Sequence, residues 1–267
     1  MKKVFLTGAS SGIGLATAKL LTENGHEVWG TARDPNKIPK IERLHPVQLN
    51  LSDRKSLQDG FKSALESAGH FDVMINNAGS GQFGPTEFLD AEILIDQFQV
   101  LVFSHVELMQ LALEAMRRRN GGLVINVTSL ASRLPVPFMA AYNSAKAAMA
   151  ALTMSIQLEL GNSDIRIVDL QPADICTEFN RGVIKGPAND PRYERKLAKT
   201  WEATERNMSN APKPEVVARH ILKLIEEKNP PPRITVGDMF QTKIAPLIFR
   251  FLPQRVRVWS LKRYYGI

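Results

Sequence analysis

The sequence predicts one α/β domain built on a doubly wound, mostly parallel sheet of about seven strands, with helices on both faces. Two observations predict this fold class. Short apolar runs of strand length alternate along the chain with longer segments of helical periodicity. The first strand also leads directly into a glycine-rich turn and a helix. The 267 residues fit one large domain, and no linker, repeat or low-complexity segment divides them.

The first turn is the most informative stretch of the chain. Residues 4–6 form an apolar run, Gly8, Gly12 and Gly14 follow, and a pattern of helical spacing begins at Ile13. Missing side chains let a backbone approach a pyrophosphate, and the start of a helix offers unpaired N–H groups and a positive dipole end. The spacing differs from Gly-x-Gly-x-x-Gly, so a glycine-rich turn without a ligand is the alternative interpretation.

The other elements follow from the same patterns. Further strands are predicted at residues 27–31, 47–49, 71–75, 123–127, 165–170 and 233–236. Further helices are predicted at residues 53–67, 91–119, 142–160, 193–207 and 214–227. Residues 80–88 are predicted to be a loop. The main domain is expected to span residues 1–240 and to include a substrate-cleft segment at 177–212, while residues 241–267 form a basic amphipathic extension packed on it.

The positive charge of the chain is concentrated in this extension. The net charge is +7, and no acidic residue follows Asp238. Six cations lie beyond it: Lys243, Arg250, Arg255, Arg257, Lys262 and Arg263. The main body is therefore close to neutral, which argues against nucleic-acid binding. Apolar residues are interleaved with the cations, and two interpretations stay open: a cover over the substrate cleft or a subunit contact, or attachment to an anionic membrane surface.

The composition also bears on location and metal binding. Cys176 is the only cysteine, so no intrachain disulfide can form and a reducing compartment is expected. Met1 passes directly into a strand, and no apolar run approaches the roughly 18 residues of a membrane span. We therefore expect a cytoplasmic protein. The five histidines have no metal-ligand spacing, so no metal site is expected.

Candidate catalytic residues fall after predicted strands, where ligands of parallel sheets bind. Ser129 follows the strand at 123–127, and Tyr142 and Lys146 stand four residues apart on one face of the next predicted helix. A phenol has a pKa of about 10, and a neighbouring ammonium favours its ionised form, so this pair suits proton transfer. A solvated helix face is the alternative interpretation of the pair, and a turn is the alternative interpretation of Ser129.

Taken together, these motifs resemble the short-chain dehydrogenases/reductases over about residues 2–240. The resemblance rests on Thr7-Gly8-x-x-x-Gly12-x-Gly14, Asn76-Asn77-Ala78-Gly79, Ser129 and Tyr142-x-x-x-Lys146. It implies a Rossmann-like fold and hydride transfer between a nicotinamide cofactor and an alcohol or carbonyl carbon. It also implies that Ser129 hydrogen-bonds the substrate oxygen, that Tyr142 exchanges a proton with it, and that Lys146 lowers the pKa of Tyr142 and holds the nicotinamide ribose.

The resemblance further implies a set of cofactor-binding residues. They are Thr7, Gly8, Ser10, Ser11, Gly12, Ile13, Gly14, Arg33, Asn50, Leu51, Asn77, Ala78, Gly79, Tyr142, Lys146, Pro172, Ile175 and Thr177. At the end of the second strand, Ala32 occupies the position of the acid that binds NAD ribose, and Arg33 follows it. This favours NADP(H), with NAD(H) as the alternative because Asp34 comes next. A plain surface charge is the alternative interpretation of Arg33.

One departure from the family leaves two function classes open. Relatives carry an Asn that helps to hold a water for a proton relay, and Leu101 occupies its position, with Ser104 at the family Gly. Without that amide, proton exchange with solvent should be slower, unless Ser104 or a backbone carbonyl holds the water. The first class is an NADP(H)-dependent oxidoreductase that interconverts a carbonyl and a secondary alcohol. The second is a weakly active or non-catalytic NADP(H)-binding sensor or scaffold protein.

Substrate and assembly are expected as follows. Four apolar side chains are expected to line the substrate site and to favour a lipophilic small molecule: Phe83, Phe138, Met139 and Phe179. In the resembled family the helix that carries the Tyr-x-x-x-Lys motif often pairs subunits, which implies a homodimer or homotetramer. Packing within one subunit explains the alanines of that helix equally well.

Overall fold

The computed structural model describes residues 1–186 and 190–267, and its centre is a seven-stranded parallel sheet. The strands of the described residues are β1 (Lys3–Leu6), β2 (Glu27–Ala32), β3 (Leu44–Gln48), β4 (Val73–Asn76), β5 (Gln82–Phe83), β6 (Gly122–Val127), β7 (Ile165–Pro172), β8 (Ile184–Lys185) and β9 (Arg233–Val236). The main sheet has the order β3-β2-β1-β4-β6-β7-β9. The order reverses between β1 and β4, so the carboxyl ends of these strands form the crevice where such sheets bind ligands.

Helices cover both faces of this sheet. They are α1 (Gly12–Glu23), α2 (Arg54–Ala68), α3 (Ala91–Phe98), α4 (Ser104–Arg117), α5 (Ala140–Leu160), α6 (Pro191–Asn210), α7 (Glu215–Glu226), α8 (Ala245–Phe251) and α9 (Gln254–Tyr265). Alternation along β1 shows the two cores: Val4 packs in a cluster with Leu21 and Ile221, whereas Phe5 packs in another with Phe61 and Leu108. The predicted Rossmann-like fold is confirmed.

Several predicted boundaries differ from the observed ones. The strand predicted at 47–49 begins at Leu44 and contains Pro46, which is tolerated because β3 is an edge strand. The predicted loop at 80–88 contains β5, which pairs in parallel with β8. Both are two-residue strands, too short for a periodicity signal. Residues 187–189 of the predicted cleft segment lie outside the described residues.

The predicted helix over 91–119 is interrupted. A π-helical turn at Gln99–Phe103 separates α3 from α4. The Gln99 amide donates a hydrogen bond to Ser104 Oγ at 2.9 Å, and Ser104 donates to the carbonyl of Leu51. π-turns of this kind mark functional sites in many helices. This one turns Leu101 inward, where its side chain is only 1% exposed.

The C-terminal extension folds as two helices preceded by a second π-turn at Phe240–Ile244. Its prolines start helices: Pro246 lies in the first turn of α8, and Pro253 immediately precedes α9. Side-chain hydrogen bonds link the extension to the domain. Gln241 Nε2 donates to Asp174 Oδ2 at 2.6 Å, and Asn207 Nδ2 donates to the Tyr264 hydroxyl at 3.0 Å.

Candidate active site

The glycine turn between β1 and α1 is packed too tightly for side chains. A Cβ on Gly14 would lie 1.9 Å from the Gly8 carbonyl oxygen, and one on Gly8 would lie 2.9 Å from Ala78 Cα. Gly8 and Gly12 also have positive φ values of 74° and 54°. The N-cap Ser11 makes no capping hydrogen bond with its side chain, so the first N–H groups of α1 keep their donor capacity. This backbone cradle fits a pyrophosphate.

Thr7 joins this turn to the segment after β4. Its hydroxyl accepts hydrogen bonds from the backbone N–H groups of Asn77 at 2.9 Å and Ala78 at 3.0 Å. The Asn77 amide in turn donates to the Thr7 carbonyl at 2.9 Å. The same Thr7 hydroxyl lies 3.3 Å from Nε2 of His105, a buried residue of α4. Thr7 therefore lies behind the cavity wall, where it positions the backbone of Asn77 and Ala78.

Ser129 and Tyr142 meet at the carboxyl end of β6. Ser129 caps a short 3₁₀ turn, where its Oγ accepts the N–H of Ala131 at 3.0 Å. Its hydroxyl is close enough to the phenol of Tyr142 to lower the pKa of that phenol. The Tyr142 ring packs at 5.4 Å from that of Phe179. The two hydroxyls can together bind one substrate oxygen.

Lys146 lies one turn further along α5. Its side chain is 5% exposed, and Nζ donates to the carbonyl of Val127 at 2.8 Å. Nζ is 5.8 Å from the Tyr142 ring centroid and 3.9 Å from where a Cβ on Gly79 would stand. The ammonium is therefore fixed between Tyr142 and the segment after β4.

Burial dominates the proton affinities at this site. It raises the pKa of Tyr142 to about 12, against a lowering by the Ser129 hydrogen bond. It also lowers the pKa of Lys146 to about 8. In this structure burial is the largest influence on the Tyr142 pKa and raises it, in the direction opposite to the lowering expected from Lys146. For His105, burial first and Lys146 second lower the pKa to about 3, so its imidazole is neutral.

These groups share one cavity of about 920 Å³. All the predicted catalytic and cofactor-binding residues line it except Thr7 and Gly14. Gly14 has the same kind of role as Thr7, since it allows α1 to approach the turn. Of the predicted apolar lining, Met139 and Phe179 face the cavity, while Phe83 and Phe138 pack against each other behind it, with ring centroids 5.9 Å apart.

Leu101 and Ser104 have defined environments in the structure. Leu101 packs in an apolar cluster with Val102 and Ala145, and its Cδ2 would lie 2.8 Å from a Cβ on Gly79. It therefore stands beside the lysine, where its side chain offers no hydrogen bond. Ser104 is fully buried and already hydrogen-bonded to Gln99 and Leu51, which makes it a poor substitute for the family amide.

The two charged residues that follow β2, Arg33 and Asp34, lie in different environments. Thr31, Ala32 and Arg33 line the cavity, and Arg33 is exposed there. The Asp34 carboxylate instead caps the following 3₁₀ turn by accepting hydrogen bonds from the Asn36 N–H and side-chain amide, both at 3.1 Å. The cavity therefore presents a cation at this end.

The far wall comes from the C-terminal extension, a contribution that sequence patterns left between two interpretations. Its cavity-lining residues include Phe240, Gln241, Ile248, Phe249, Leu252, Leu261 and Tyr265. The alternation of apolar and basic residues predicts an amphipathic segment. It does not indicate which side of that segment faces the cleft. Asp174 also lines the cavity, and burial raises the pKa of its carboxyl.

A family model described as short chain dehydrogenase matches residues 2–187. This chain belongs to the short-chain dehydrogenase/reductase family. It is therefore an oxidoreductase of a family that acts on alcohol and carbonyl groups with a nicotinamide cofactor.

Relatives extend the match to the whole chain. A 3-ketodihydrosphingosine reductase of Bacteroides thetaiotaomicron is 29% identical over 266 residues, covering 99% of this chain and 98% of the relative. Carbonyl reductase [NADPH] 2 of Sus scrofa is 32% identical over 202 residues, covering 73% of this chain and 79% of the relative. The C-terminal extension therefore lies within the match to the Bacteroides enzyme.

Solved structures share the fold of this dehydrogenase/reductase. A short-chain dehydrogenase from Streptomyces avermitilis has a TM-score of 0.81 at 25% identity, covering 98% of this chain and 93% of that chain. An alcohol dehydrogenase from Thermococcus sibiricus, complexed with 5-hydroxy-NADP, has a TM-score of 0.74 at 26% identity, covering 90% and 97%. Chains solved with NAD share the fold as well.

The described part of the chain contains no group of three His, Cys, Asp or Glu side chains placed to hold a metal ion. None of its helices combines the length and apolarity needed to cross a bilayer.

Proposed function

We propose that this chain is an NADP(H)-dependent reductase that interconverts a ketone and a secondary alcohol on a lipophilic substrate. The observation that carries the proposal is that Ser129, Tyr142 and Lys146 line the same cavity as the glycine turn, with Lys146 Nζ 5.8 Å from the Tyr142 ring centroid. Residues 1–240 would form the catalytic domain, and 241–267 would cover its cleft. We also propose a cytoplasmic location, which the single cysteine of the sequence supports.

The residues have clear roles in this reaction. The carbonyl oxygen of the substrate accepts hydrogen bonds from the Ser129 and Tyr142 hydroxyls, and Tyr142 gives it a proton. A phenol pKa of about 12 keeps Tyr142 protonated at neutral pH, the state that reduction needs. Lys146 would hold the nicotinamide ribose of the bound cofactor and would supply positive charge near the oxygen. The bound cofactor supplies the hydride.

NADP(H) is preferred in this proposal because of the charges at the end of β2. Arg33 lines the cavity and can pair with a 2′-phosphate, while Asp34 is engaged in a turn of the backbone. No acid takes the position of Ala32, where NAD-dependent enzymes bind ribose hydroxyls. The NADP complex of the archaeal relative is in line with this choice.

A long-chain ketone fits the far half of the cavity. The wall formed by Ile248, Phe249, Leu252 and Leu261 is apolar and lies beyond the catalytic residues. The Bacteroides relative is named for a long-chain 3-keto amine and matches the extension that provides this wall. We therefore propose a long-chain 3-keto lipid, such as 3-ketodihydrosphingosine, as the substrate class.

The test is an NADPH absorbance assay across a series of ketones. We expect kcat/KM to rise steeply from short ketones to 3-ketodihydrosphingosine and to be lost in Tyr142→Phe. Equal rates on short and long ketones would refute the substrate class, and activity that survives Tyr142→Phe would refute the mechanism. Binding of NADPH without turnover of any ketone or alcohol would favour the sensor or scaffold function, to which the apolar Leu101 beside Lys146 points.

We also propose a homodimer or homotetramer paired through α5. The outer face of this helix carries Met154 and Leu158, which are 52% and 78% exposed, and Phe103 of the neighbouring π-turn is 53% exposed. Light scattering after size-exclusion chromatography should show an oligomer that Leu158→Glu dissociates. A monomeric wild type would refute this assembly.

A further inference from the structure

The outward side of the C-terminal extension carries an exposed apolar stripe. Ile244, Leu247, Ile248 and Phe251 follow the i, i+3, i+4, i+7 spacing of one helix face, and we call them the tail stripe. A stripe of this kind normally faces a core. Here its members are 40%, 60%, 48% and 75% exposed. On the next helix, Trp259 is 65% exposed.

Exposed cations occur on the π-turn and the two helices that carry the tail stripe and Trp259. They are Lys243, Arg250, Arg255, Lys262 and Arg263. No acidic residue follows Asp238, so this surface carries positive charge without compensation on its own helices. The sixth cation, Arg257, has a structural role, because its guanidinium donates to the Leu252 carbonyl at 2.7 Å and to that of Arg250 at 3.1 Å.

The tail stripe also borders the active-site cavity. Ile248 is nearly half exposed and yet lines the cavity, and so does Phe240, which is 55% exposed. The inner side of the same helices supplies Phe249 and Leu252 to the cavity wall. The extension therefore combines apolar side chains that line the cavity, an exposed apolar stripe and exposed cations.

We propose that the tail stripe and its cations dock on an anionic phospholipid bilayer, so that the active-site cavity opens at the membrane surface. Short helices with Trp, Phe and Leu on one side and Lys and Arg on the other bind in the interfacial plane of bilayers. The charge favours an anionic surface, because each Lys or Arg near such a surface adds attraction. Docking itself does not depend on the substrate; delivery of a bilayer-borne ketone through this opening rests on the proposed function.

The test is co-sedimentation of the full chain with vesicles at roughly 0.1 M salt, where the Debye length is about 10 Å. Vesicles of phosphatidylcholine with phosphatidylglycerol are compared with phosphatidylcholine alone. The charge variant combines Arg255→Gln, Lys262→Gln and Arg263→Gln. The matched control replaces three lysines outside the extension: Lys40→Gln, Lys55→Gln and Lys62→Gln. The stripe variant combines Leu247→Ser and Phe251→Ser, neither of which lines the cavity.

We expect wild type and the matched control to bind the anionic vesicles and to bind the neutral ones far less. The charge variant should bind roughly 100-fold more weakly, since each of three cations contributes about a factor of five. The stripe variant should bind at least about 10-fold more weakly, since two large apolar side chains leave the interface. Unchanged melting temperatures will show that the variants fold.

Several results would overturn the docking proposal. They are absence of wild-type binding, equal binding to neutral vesicles, or an equal loss in the matched control. Self-association that the stripe variant abolishes, without vesicle binding, would assign the surface to a second copy instead. Because binding is measured without substrate or cofactor, failure of the proposed reductase activity leaves these results unaffected.

Discussion

Lys146 Nζ lies 5.8 Å from the ring centroid of Tyr142 and gives a hydrogen bond to the carbonyl oxygen of Val127. The two residues respond to burial in opposite senses: the pKa of the phenol rises to about 12, and that of the ammonium falls to about 8. At neutral pH the pair is therefore a protonated acid beside a cation. In that protonation state Tyr142 can donate a proton to a carbonyl oxygen.

The first prediction concerns the pH dependence of ketone reduction. We expect kcat/KM to be level through neutrality and to fall above about pH 8, as Lys146 loses its proton. His105 should contribute no inflection near pH 6.5, because its pKa lies at about 3. The measurement is a steady-state pH profile of kcat/KM. Lys19→Gln, at an exposed position of α1, is the control and should leave this profile unchanged. An inflection near pH 6.5 would contradict the assignment of His105 as neutral.

The second prediction is that Lys146→Met stabilises the fold while it abolishes activity. At pH 7 the native state must hold a buried ammonium, so its removal should raise the free energy of unfolding by on the order of 1–3 kcal/mol. The native pKa of about 8 lies below the ordinary 10.5. Between these values the unfolded chain binds the extra proton, so wild-type stability rises with pH and the gap to the variant closes.

Urea unfolding of both proteins across this pH range measures the effect. A variant less stable than wild type at pH 7 would show that the Val127 hydrogen bond outweighs the cost of the buried charge. A gap that stays constant with pH would show that Lys146 keeps its ordinary pKa.

The third prediction concerns the apolar residue beside the lysine. Leu101→Asn restores an amide at the π-turn, so we expect kcat to rise several-fold and the solvent isotope effect to fall, as proton exchange with solvent becomes easier. The amide enters an apolar cluster and should cost roughly 1–3 kcal/mol of stability. Leu101→Met, which keeps volume and polarity, is the control. A rate equal to that of wild type would refute a defective relay.

The fourth prediction concerns cofactor choice. Arg33→Gln should raise KM for NADPH roughly 10- to 100-fold and leave KM for NADH nearly unchanged, because only NADPH carries the phosphate that the guanidinium binds. Asp34→Asn is the matched variant, and it should change neither value much because Asp34 faces its own turn. Equal effects of Arg33→Gln on both cofactors would assign Arg33 to the surface.

The sequence was sufficient for the main sheet because its strands are continuous apolar runs buried on both faces. It was also sufficient to predict which residues lie together, because the carboxyl ends of parallel strands meet at one edge of the sheet. Ser129 follows β6, Tyr142 and Lys146 lie on α5, and Pro172 ends β7, and all four line the cavity. Phe83 and Phe138 were misplaced because an apolar residue near a cleft packs equally well one layer behind it.

Other features depend on contacts that no local pattern encodes. The π-turn at Gln99–Phe103 leaves a helical periodicity almost unchanged, so a continuous helix was the natural prediction. The pKa of Tyr142 depends on how deeply the ring is buried, which spacing from Lys146 does not reveal. Only the three-dimensional structure shows that the prolines of the extension begin helices.

A crystal structure of the protein with NADPH tests the central claim most directly. We expect the pyrophosphate to lie on the backbone of Gly12 and Ile13, the 2′-phosphate beside Arg33, and the nicotinamide ring against Tyr142 and Lys146. A nicotinamide ring far from Tyr142, or a dinucleotide bound away from the glycine turn, would contradict the account.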